Sequence, residues 1–130
     1  QIKPYCETKY VTCVKGKVLD IIIDLRKKSK TFLKYHSEII REDDNKTILI
    51  PKGFAHGFLT LVNNCKLLYF HTANYSPKHE RGINFKDPRL KLKLNLNPKY
   101  VSERDKKFPL LKHDFKGIEI KWNVDFVKKN

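Results

Sequence analysis

The stretch Ile50–Ile83, IPKGFAHGFLTLVNNCKLLYFHTANYSPKHERGI, carries most of the chain's distinctive chemistry. A Pro-Lys-Gly turn leads into the apolar segment Phe54–Val62, and a second apolar segment, Lys66–Ala73, follows two asparagines. Asparagine is common in the tight turns that join paired strands. We therefore predict that the two segments form a β-hairpin. A polar loop with tyrosine, histidine, glutamate and arginine follows it.

Short segments rich in β-branched residues also lie on either side of this stretch. They predict further strands at Lys9–Val14, Val18–Leu25, Thr31–Ile40, Thr47–Ile50 and Ile118–Trp122. Short strands at this spacing are typical of an antiparallel sandwich or barrel, so we predict an all-β fold. A Ser-Glu-Arg-Asp sequence at 102–105 has the pattern of a helix N-terminus and predicts one short helix that ends before Pro109.

The chain has 130 residues, of which 40% are hydrophobic, and this suits one domain with a modest core. Its apolar runs are too short to span a membrane. The three cysteines, Cys6, Cys13 and Cys65, do not form a Cys-x-x-Cys motif. Close histidine pairs with a third ligand are also absent from the sequence, so we expect no metal site. Free thiols indicate a reducing cytoplasm.

The formal net charge of +14 makes nucleic acid an obvious candidate partner. The lysines, however, are scattered through predicted strands and loops and do not form one tract. The sequence also has no helix-turn-helix or zinc-finger pattern. Nucleic acid is therefore an unfavoured partner, and a phosphorylated small molecule would equally suit a basic surface.

Polar residues on neighbouring strands suggest a shared pocket, because small antiparallel barrels enclose a cavity. Lys9, Asp24, His56 and Tyr69 lie on predicted strands or at their ends. A lysine, a histidine and a tyrosine in one pocket suit proton transfer beside a carbonyl, with the cation stabilising an enolate oxygen.

Arginines near this pocket, Arg26 and Arg81, could hold a diphosphate. Each candidate also fits a structural role. Lys9 could be a solvated charge, His56 a turn residue and Tyr69 part of the core. Glu80 and Arg81 could form only a salt bridge within their loop.

Four blocks of this sequence resemble the dTDP-4-dehydrorhamnose 3,5-epimerase family, which consists of cupin-type jelly rolls. The blocks are KYVTCVKGKVLDIIIDLRKKSKTF, IPKGFAHGFLTL, LYFHTANYSPKHERGI and VSERDKKFPLL. They occur in the family's order and spacing between Gln1 and about Leu111. The resemblance implies a cupin-type antiparallel jelly-roll barrel and an isomerase that works without a metal or other cofactor.

The resemblance further implies a substrate and a set of site residues. The substrate is a 4-keto-6-deoxy sugar on a nucleoside diphosphate, inverted at C3 and C5 through an enolate. Tyr69 would donate the proton, Lys9 would stabilise the enolate, and Asp105 would orient a catalytic histidine. Substrate-binding roles fall to His56, Tyr75, Glu80 and Arg104. Tyr75 would stack on the nucleotide base, and Arg104 stands where the family usually has lysine.

The catalytic histidine of the family lies in an R-G-L-H-x-Q block whose glutamine resembles Gln1. None of the five histidines of this chain lies in such a block. We therefore expect residues 1–130 to form a single cupin-like domain whose N-terminal strands, catalytic histidine and some nucleotide-binding residues precede Gln1. The family also implies a homodimer.

Three other functions stay open. The chain could be a non-catalytic sugar-nucleotide-binding module if the histidine is absent from the whole protein. It could invert a single carbon or move the keto group, as a ketoisomerase does. It could also bind nucleic acid, with an affinity that falls steeply with salt.

Overall fold

The computed structural model describes residues 1–94 and 97–120. It contains six strands: β1 (Lys9–Lys15), β2 (Lys17–Asp24), β3 (Tyr35–Arg41), β4 (Thr47–Ile50), β5 (Phe54–Thr60) and β6 (Lys66–His71). Single-turn 3-10 helices occupy Glu42–Asp44, Pro77–His79 and Pro88–Leu90, and one short α-helix, α1, spans Glu103–Lys107. The predicted all-β fold and the short C-terminal helix are therefore confirmed.

The strands form two antiparallel three-stranded sheets, in the orders β4-β1-β6 and β3-β2-β5. Consecutive strands often lie in different sheets, as in a jelly roll. Gly16 makes the tight turn between β1 and β2, with a φ of 83° that a residue with a side chain rarely adopts. Two consecutive strands, β1 and β2, thereby become the centres of opposite sheets.

Two apolar clusters stabilise this arrangement. Cys13, Val18 and Ile40 are buried between the sheets and pack against residues of β4 and β6. A second cluster joins β2 to the segment after Ile83, which contributes the buried Leu90. This segment therefore covers β2 and brings α1 close to the polar loop that follows β6.

The predicted hairpin of β5 and β6 is wrong. β5 pairs with β2, with His56 opposite Ile22, whereas β6 pairs with β1, with Tyr69 opposite Val11. The residues between β5 and β6 cross from one sheet to the other, and Cys65 at the end of this crossing donates a hydrogen bond to the carbonyl of Lys17. Pairing with long β-branched strands offers more burial than a local hairpin does.

The third strand begins at Tyr35, four residues later than predicted. Ser29 and Thr31 donate hydroxyl hydrogen bonds of 2.6 Å to the buried Asp24 carboxylate, which holds residues 29–31 in a turn. Leu33 has a φ of 61°, which is incompatible with a strand. A local side-chain network therefore replaces the first part of the strand.

The C-terminal strand prediction is confirmed only as an isolated parallel bridge between Ile118 and Arg26. Trp122, at the end of that predicted strand, lies outside the described residues. In residues 1–94 and 97–120, no helix is long and apolar enough to cross a membrane.

Candidate active site

An open cavity of about 790 Å³ is lined by the N-terminal residues, β5, β6 and the segments that follow β6. The seven residues to which the family resemblance assigns site roles all line it: Lys9, His56, Tyr69, Tyr75, Glu80, Arg104 and Asp105. Apolar side chains such as Ile21, Ile23 and Leu90 form another part of its wall. The fold thus brings together residues that are up to 96 positions apart in the chain, from Lys9 to Asp105.

His56 is held in place by a buried carboxylate that the sequence analysis missed. Its Nε2 lies 2.6 Å from Asp20 Oδ2, and the side chains are 6% and 1% exposed. The register of β2 and β5 explains this contact, because it places Asp20 two positions from Ile22, the residue opposite His56. An aspartate inside a β-branched strand could have indicated such a pair from the sequence, since a buried carboxylate needs a hydrogen-bonding partner.

Two histidine rings contact Tyr69. The His71 ring stacks on it at 5.9 Å and 22°, and the His56 ring meets it edge-on at 6.0 Å and 62°. Burial and the negative charge of Asp20 raise the pKa of Tyr69 to about 12. The phenol therefore keeps its proton at neutral pH, which is the state that a proton donor requires.

Glu7 is a second carboxylate that the sequence analysis missed. Its side chain is 5% exposed, and Oε2 accepts hydrogen bonds of 3.0 Å from Gln1 Nε2 and His71 Nδ1. Lys9 Nζ lies 3.4 Å from Oε1. Burial alone would raise the pKa of Glu7, but the His71 hydrogen bond and the Lys9 charge outweigh it, so the pKa lies below its usual value. Glu7 therefore carries a negative charge at neutral pH.

Glu80 connects the polar loop to α1. Its carboxylate accepts a 2.9 Å hydrogen bond from the Tyr75 hydroxyl and a 3.1 Å hydrogen bond from Arg104 Nη1. The hydrogen bond to Glu80 is the main cause that raises the pKa of Tyr75. Arg81 instead donates to the carbonyls of Lys78 and Glu80, so the alternative of a Glu80–Arg81 salt bridge is wrong.

Asp105 lies in α1, where its backbone N–H donates to Ser102 Oγ at 3.0 Å. Its carboxylate accepts a hydrogen bond from Arg104 Nε at 3.3 Å. Within the described part of the chain, no histidine is hydrogen-bonded to Asp105. The structure therefore places Asp105 at the cavity, and its role in orienting a histidine stays a prediction.

Asp24 and Arg26 do not belong to this cavity, contrary to the sequence-based hypothesis. The Asp24 carboxylate receives hydrogen bonds from Arg26 Nε and Nη2 at 2.9 and 2.8 Å. The Arg26 guanidinium also lies over the Phe54 ring, 4.5 Å from its centroid. These contacts hold the loop after β2, and they occupy the guanidinium that was proposed to bind a diphosphate.

No group of three or more histidine, cysteine, aspartate and glutamate side chains is placed to hold a metal ion in residues 1–94 and 97–120. The polar groups around Tyr69 instead include two histidine–carboxylate pairs and one lysine, and the tyrosine itself is protonated. Such a set can transfer protons and can stabilise an anionic oxygen.

Comparison with known proteins gives a consistent result. The sequence profile described as dTDP-4-dehydrorhamnose 3,5-epimerase matches residues 1–113. A dTDP-4-dehydrorhamnose 3,5-epimerase of Mycobacterium tuberculosis is 41% identical over 87 residues, which are 67% of this chain and 43% of that protein.

Two solved structures show the same fold. The Bacillus anthracis dTDP-4-dehydrorhamnose 3,5-epimerase with TDP and PPi bound has a TM-score of 0.81 at 36% identity, covering 85% of this chain and 63% of that chain. A Legionella pneumophila dTDP-6-deoxy-D-glucose-3,5-epimerase in complex with dTDP-4-keto-L-rhamnose has a TM-score of 0.81 at 29% identity, covering 91% and 66%.

The chain spans about half the length of the curated relatives it matches. The profile match nevertheless includes all six strands, α1 and every predicted site residue, because it runs from residue 1 to residue 113. The chain therefore belongs to the dTDP-4-dehydrorhamnose 3,5-epimerase family.

Proposed function

We propose that the protein inverts C3 and C5 of a 4-keto-6-deoxy sugar carried on a nucleoside diphosphate, of the dTDP-4-dehydro-6-deoxyglucose type. The observation that carries this proposal is the protonated Tyr69 phenol in one cavity with the Lys9 ammonium. The bound TDP of the Bacillus anthracis enzyme and the bound dTDP-4-keto-L-rhamnose of the Legionella pneumophila enzyme support the substrate class.

The chemistry follows from the C4 carbonyl of such a sugar. The carbonyl acidifies the hydrogens on C3 and C5, and removal of either leaves an enolate. The Lys9 ammonium would stabilise the enolate oxygen, and Tyr69 would donate a proton to the carbon on the face opposite to the one from which hydrogen left. His56, held by Asp20, would contact the sugar from β5 in the opposite sheet.

The nucleotide would lie toward the polar loop and α1. Arg104 can hold a phosphate with its planar guanidinium, which Glu80 and Asp105 orient. Tyr75 is 68% exposed, so its ring is free to stack on a base. Asp105 would additionally orient a histidine that acts as the catalytic base. The single-domain organisation over residues 1–130 is part of the same proposal.

The proposal includes a homodimer. The outer face of the β4-β1-β6 sheet exposes the apolar side chains Tyr10, Leu49, Leu68 and Phe70, at 39%, 51%, 45% and 61%. Such a patch favours association with a second copy. Sedimentation velocity should show a dimer that Phe70→Asp weakens and that Leu110→Asp, on the exposed C-terminal segment, leaves intact. An equally stable Phe70→Asp dimer would contradict this use of the face.

We also propose a cytoplasmic location, which the three free cysteines support. Proximity labelling in cells would test it. Labelling of the protein by an enzyme confined outside the cytoplasm would contradict it.

Solvent deuterium incorporation tests the reaction itself. The full-length protein is incubated with dTDP-4-keto-6-deoxyglucose in deuterated water, and label and configuration are measured at each carbon. We expect label and inversion at C3 and C5. Binding of the sugar nucleotide without deuterium incorporation would favour the non-catalytic binding module. Deuterium at one carbon only would favour a single-carbon epimerase.

A further inference from the structure

Two histidine–carboxylate pairs flank Tyr69, and the proposed reaction accounts for only one of them. His56 with Asp20 meets the tyrosine ring edge-on, and His71 with Glu7 stacks beside it. Tyr69 and His71 are two positions apart on β6, so their side chains project from the same face of the sheet. Both line the cavity.

The contacts of His71 leave one nitrogen for a ligand. Glu7 is a carboxylate at neutral pH and can only accept, so His71 Nδ1 is the donor of their 3.0 Å hydrogen bond. In the described part of the chain, His71 Nε2 has no hydrogen-bond partner. A buried carboxylate that fixes a histidine through one nitrogen and leaves the other open is an arrangement suited to proton transfer.

The two histidines differ in their exposure to solvent. The His71 side chain is 41% exposed, whereas that of His56 is 6% exposed. A group that donates a proton must regain one in each cycle, and His71 can do so directly from water. The Glu7 carboxylate balances the positive charge that the ring then carries.

The stereochemistry of the proposed substrate requires two proton deliveries from one face, at two different carbons. In the chair form of a gluco-configured sugar, the C3 and C5 hydrogens are both axial and point to the same face. Their removal from that face and replacement on the other would deliver both new protons from the same side of the sugar. Tyr69 and His71 lie side by side in the cavity wall, with ring centroids 5.9 Å apart, so both face a sugar bound in the cavity from the same side.

We propose that His71 is a further catalytic residue, which donates the proton at one of the two carbons while Tyr69 donates at the other. Glu7 is its positioning residue. This inference rests on the proposed function. The His71 Nε2–H bond breaks as the new C–H bond forms, and the enolate electron pair becomes that C–H bond as the carbonyl returns. Neutral His71 regains a proton from solvent, and the hydrogen removed from the sugar leaves through a base on its other face.

The test compares inversion at each carbon in matched variants of the full-length protein. His71→Asn keeps an amide that can donate to Glu7 but cannot serve as an acid. We expect its product to be inverted at one carbon only, with inversion at the other about 100-fold slower. Tyr69→Phe should show the complementary loss. His36→Asn, which changes a 71% exposed histidine on β3, should invert both carbons like the parent protein.

Glu7→Gln provides a second variant, because it keeps the shape and a hydrogen-bond acceptor but removes the charge. It should slow inversion at the same carbon as His71→Asn, by a smaller factor. Affinity for dTDP should match the parent protein in each variant, and each variant should still unfold cooperatively, which excludes a general loss of folding. The unfolding midpoint of Glu7→Gln should fall, because its buried carboxylate is paired with His71 and Lys9.

The possible failures are distinguishable. A parent protein that incorporates no deuterium at either carbon overturns the proposed function and this inference with it. A parent that inverts both carbons, together with a His71→Asn variant that also inverts both at the parent's rate, overturns this inference alone. Two other results would also overturn it. One is slower inversion at the same carbon in both His71→Asn and Tyr69→Phe, and the other is an equal slowing of inversion at both carbons in His71→Asn.

Discussion

The contact between Asp20 and His56 should be one of the strongest polar contributions to stability in this chain. The two side chains are 1% and 6% exposed, and a single 2.6 Å hydrogen bond joins them. A hydrogen bond that involves a charged group contributes about 1.5–3 kcal/mol net. Removing one member of a buried pair costs more, about 3–5 kcal/mol, because the remaining polar group stays buried without a partner.

These magnitudes give an ordered prediction for two variants. Asp20→Asn keeps the shape and an acceptor oxygen, so it should lower the free energy of unfolding by about 1–2 kcal/mol. Asp20→Ala leaves the His56 nitrogen unpaired and should cost about 3 kcal/mol or more. Against a total stability of about 5–15 kcal/mol for a domain, this loss is large. Urea unfolding, followed by circular dichroism, measures both values.

A double-mutant cycle isolates the contact itself. We expect a coupling energy of about 2 kcal/mol between Asp20→Ala and His56→Ala. The matched control is the more exposed pair of His36 and Glu38 on β3, where 3.7 Å separates His36 Nε2 from Glu38 Oε2. Its coupling should be much smaller, because water screens it. A coupling between Asp20 and His56 no larger than this control would refute the reasoning.

Three further predictions concern other parts of the molecule. Asp24→Asn should cost about 3 kcal/mol at neutral pH, because the buried carboxylate accepts hydrogen bonds from Arg26 and neighbouring hydroxyls. Burial would raise the pKa of Asp24, but these bonds lower it, so this stabilisation is present at neutral pH and is lost as the pH falls below the ordinary carboxylate range. The gap in urea midpoint between parent and variant should therefore close in acid, and a gap that widens would contradict the sign. Arg104→Lys should raise KM about tenfold with little change in kcat, because a lysine cannot make the two parallel hydrogen bonds that a guanidinium makes to a phosphate. Steady-state assays measure both constants, and an unchanged KM would argue against a contact between Arg104 and phosphate. The alkaline titration of Tyr69, obtained as the ultraviolet difference between parent and Tyr69→Phe, should have its midpoint near 12, and a midpoint near 10 would show that burial and the Asp20 charge do not act on it.

The sequence predicted most of the strands but not their partners. Alternating and β-branched segments predicted β1, β2 and β4 within one or two residues. Two asparagines between β5 and β6 suggested a hairpin, although the two strands lie in different sheets. A local turn signal cannot show this, because the choice of sheet depends on burial against strands far away in the chain.

For the site, too, local motifs were predicted from the sequence, whereas contacts between distant residues were not. The seven residues named from motif resemblance all line one cavity, because each motif lies at a strand or loop that faces it. The carboxylates that hold the histidines were missed. Glu7 and His71 are 64 positions apart and meet only through the register of β1 and β6. Asp20 could have been found from its place within an apolar strand.

The proposed role of Tyr69 is the centre of this account, and deuterium labelling tests it most directly. The full-length protein and its Tyr69→Phe variant would be incubated with dTDP-4-keto-6-deoxyglucose in deuterated water, and configuration and label would be determined at C3 and C5. We predict inversion with label at both carbons in the parent protein, and loss of inversion at the carbon that Tyr69 serves in a variant that still binds dTDP. Inversion of both carbons by Tyr69→Phe at the parent's rate would contradict the account.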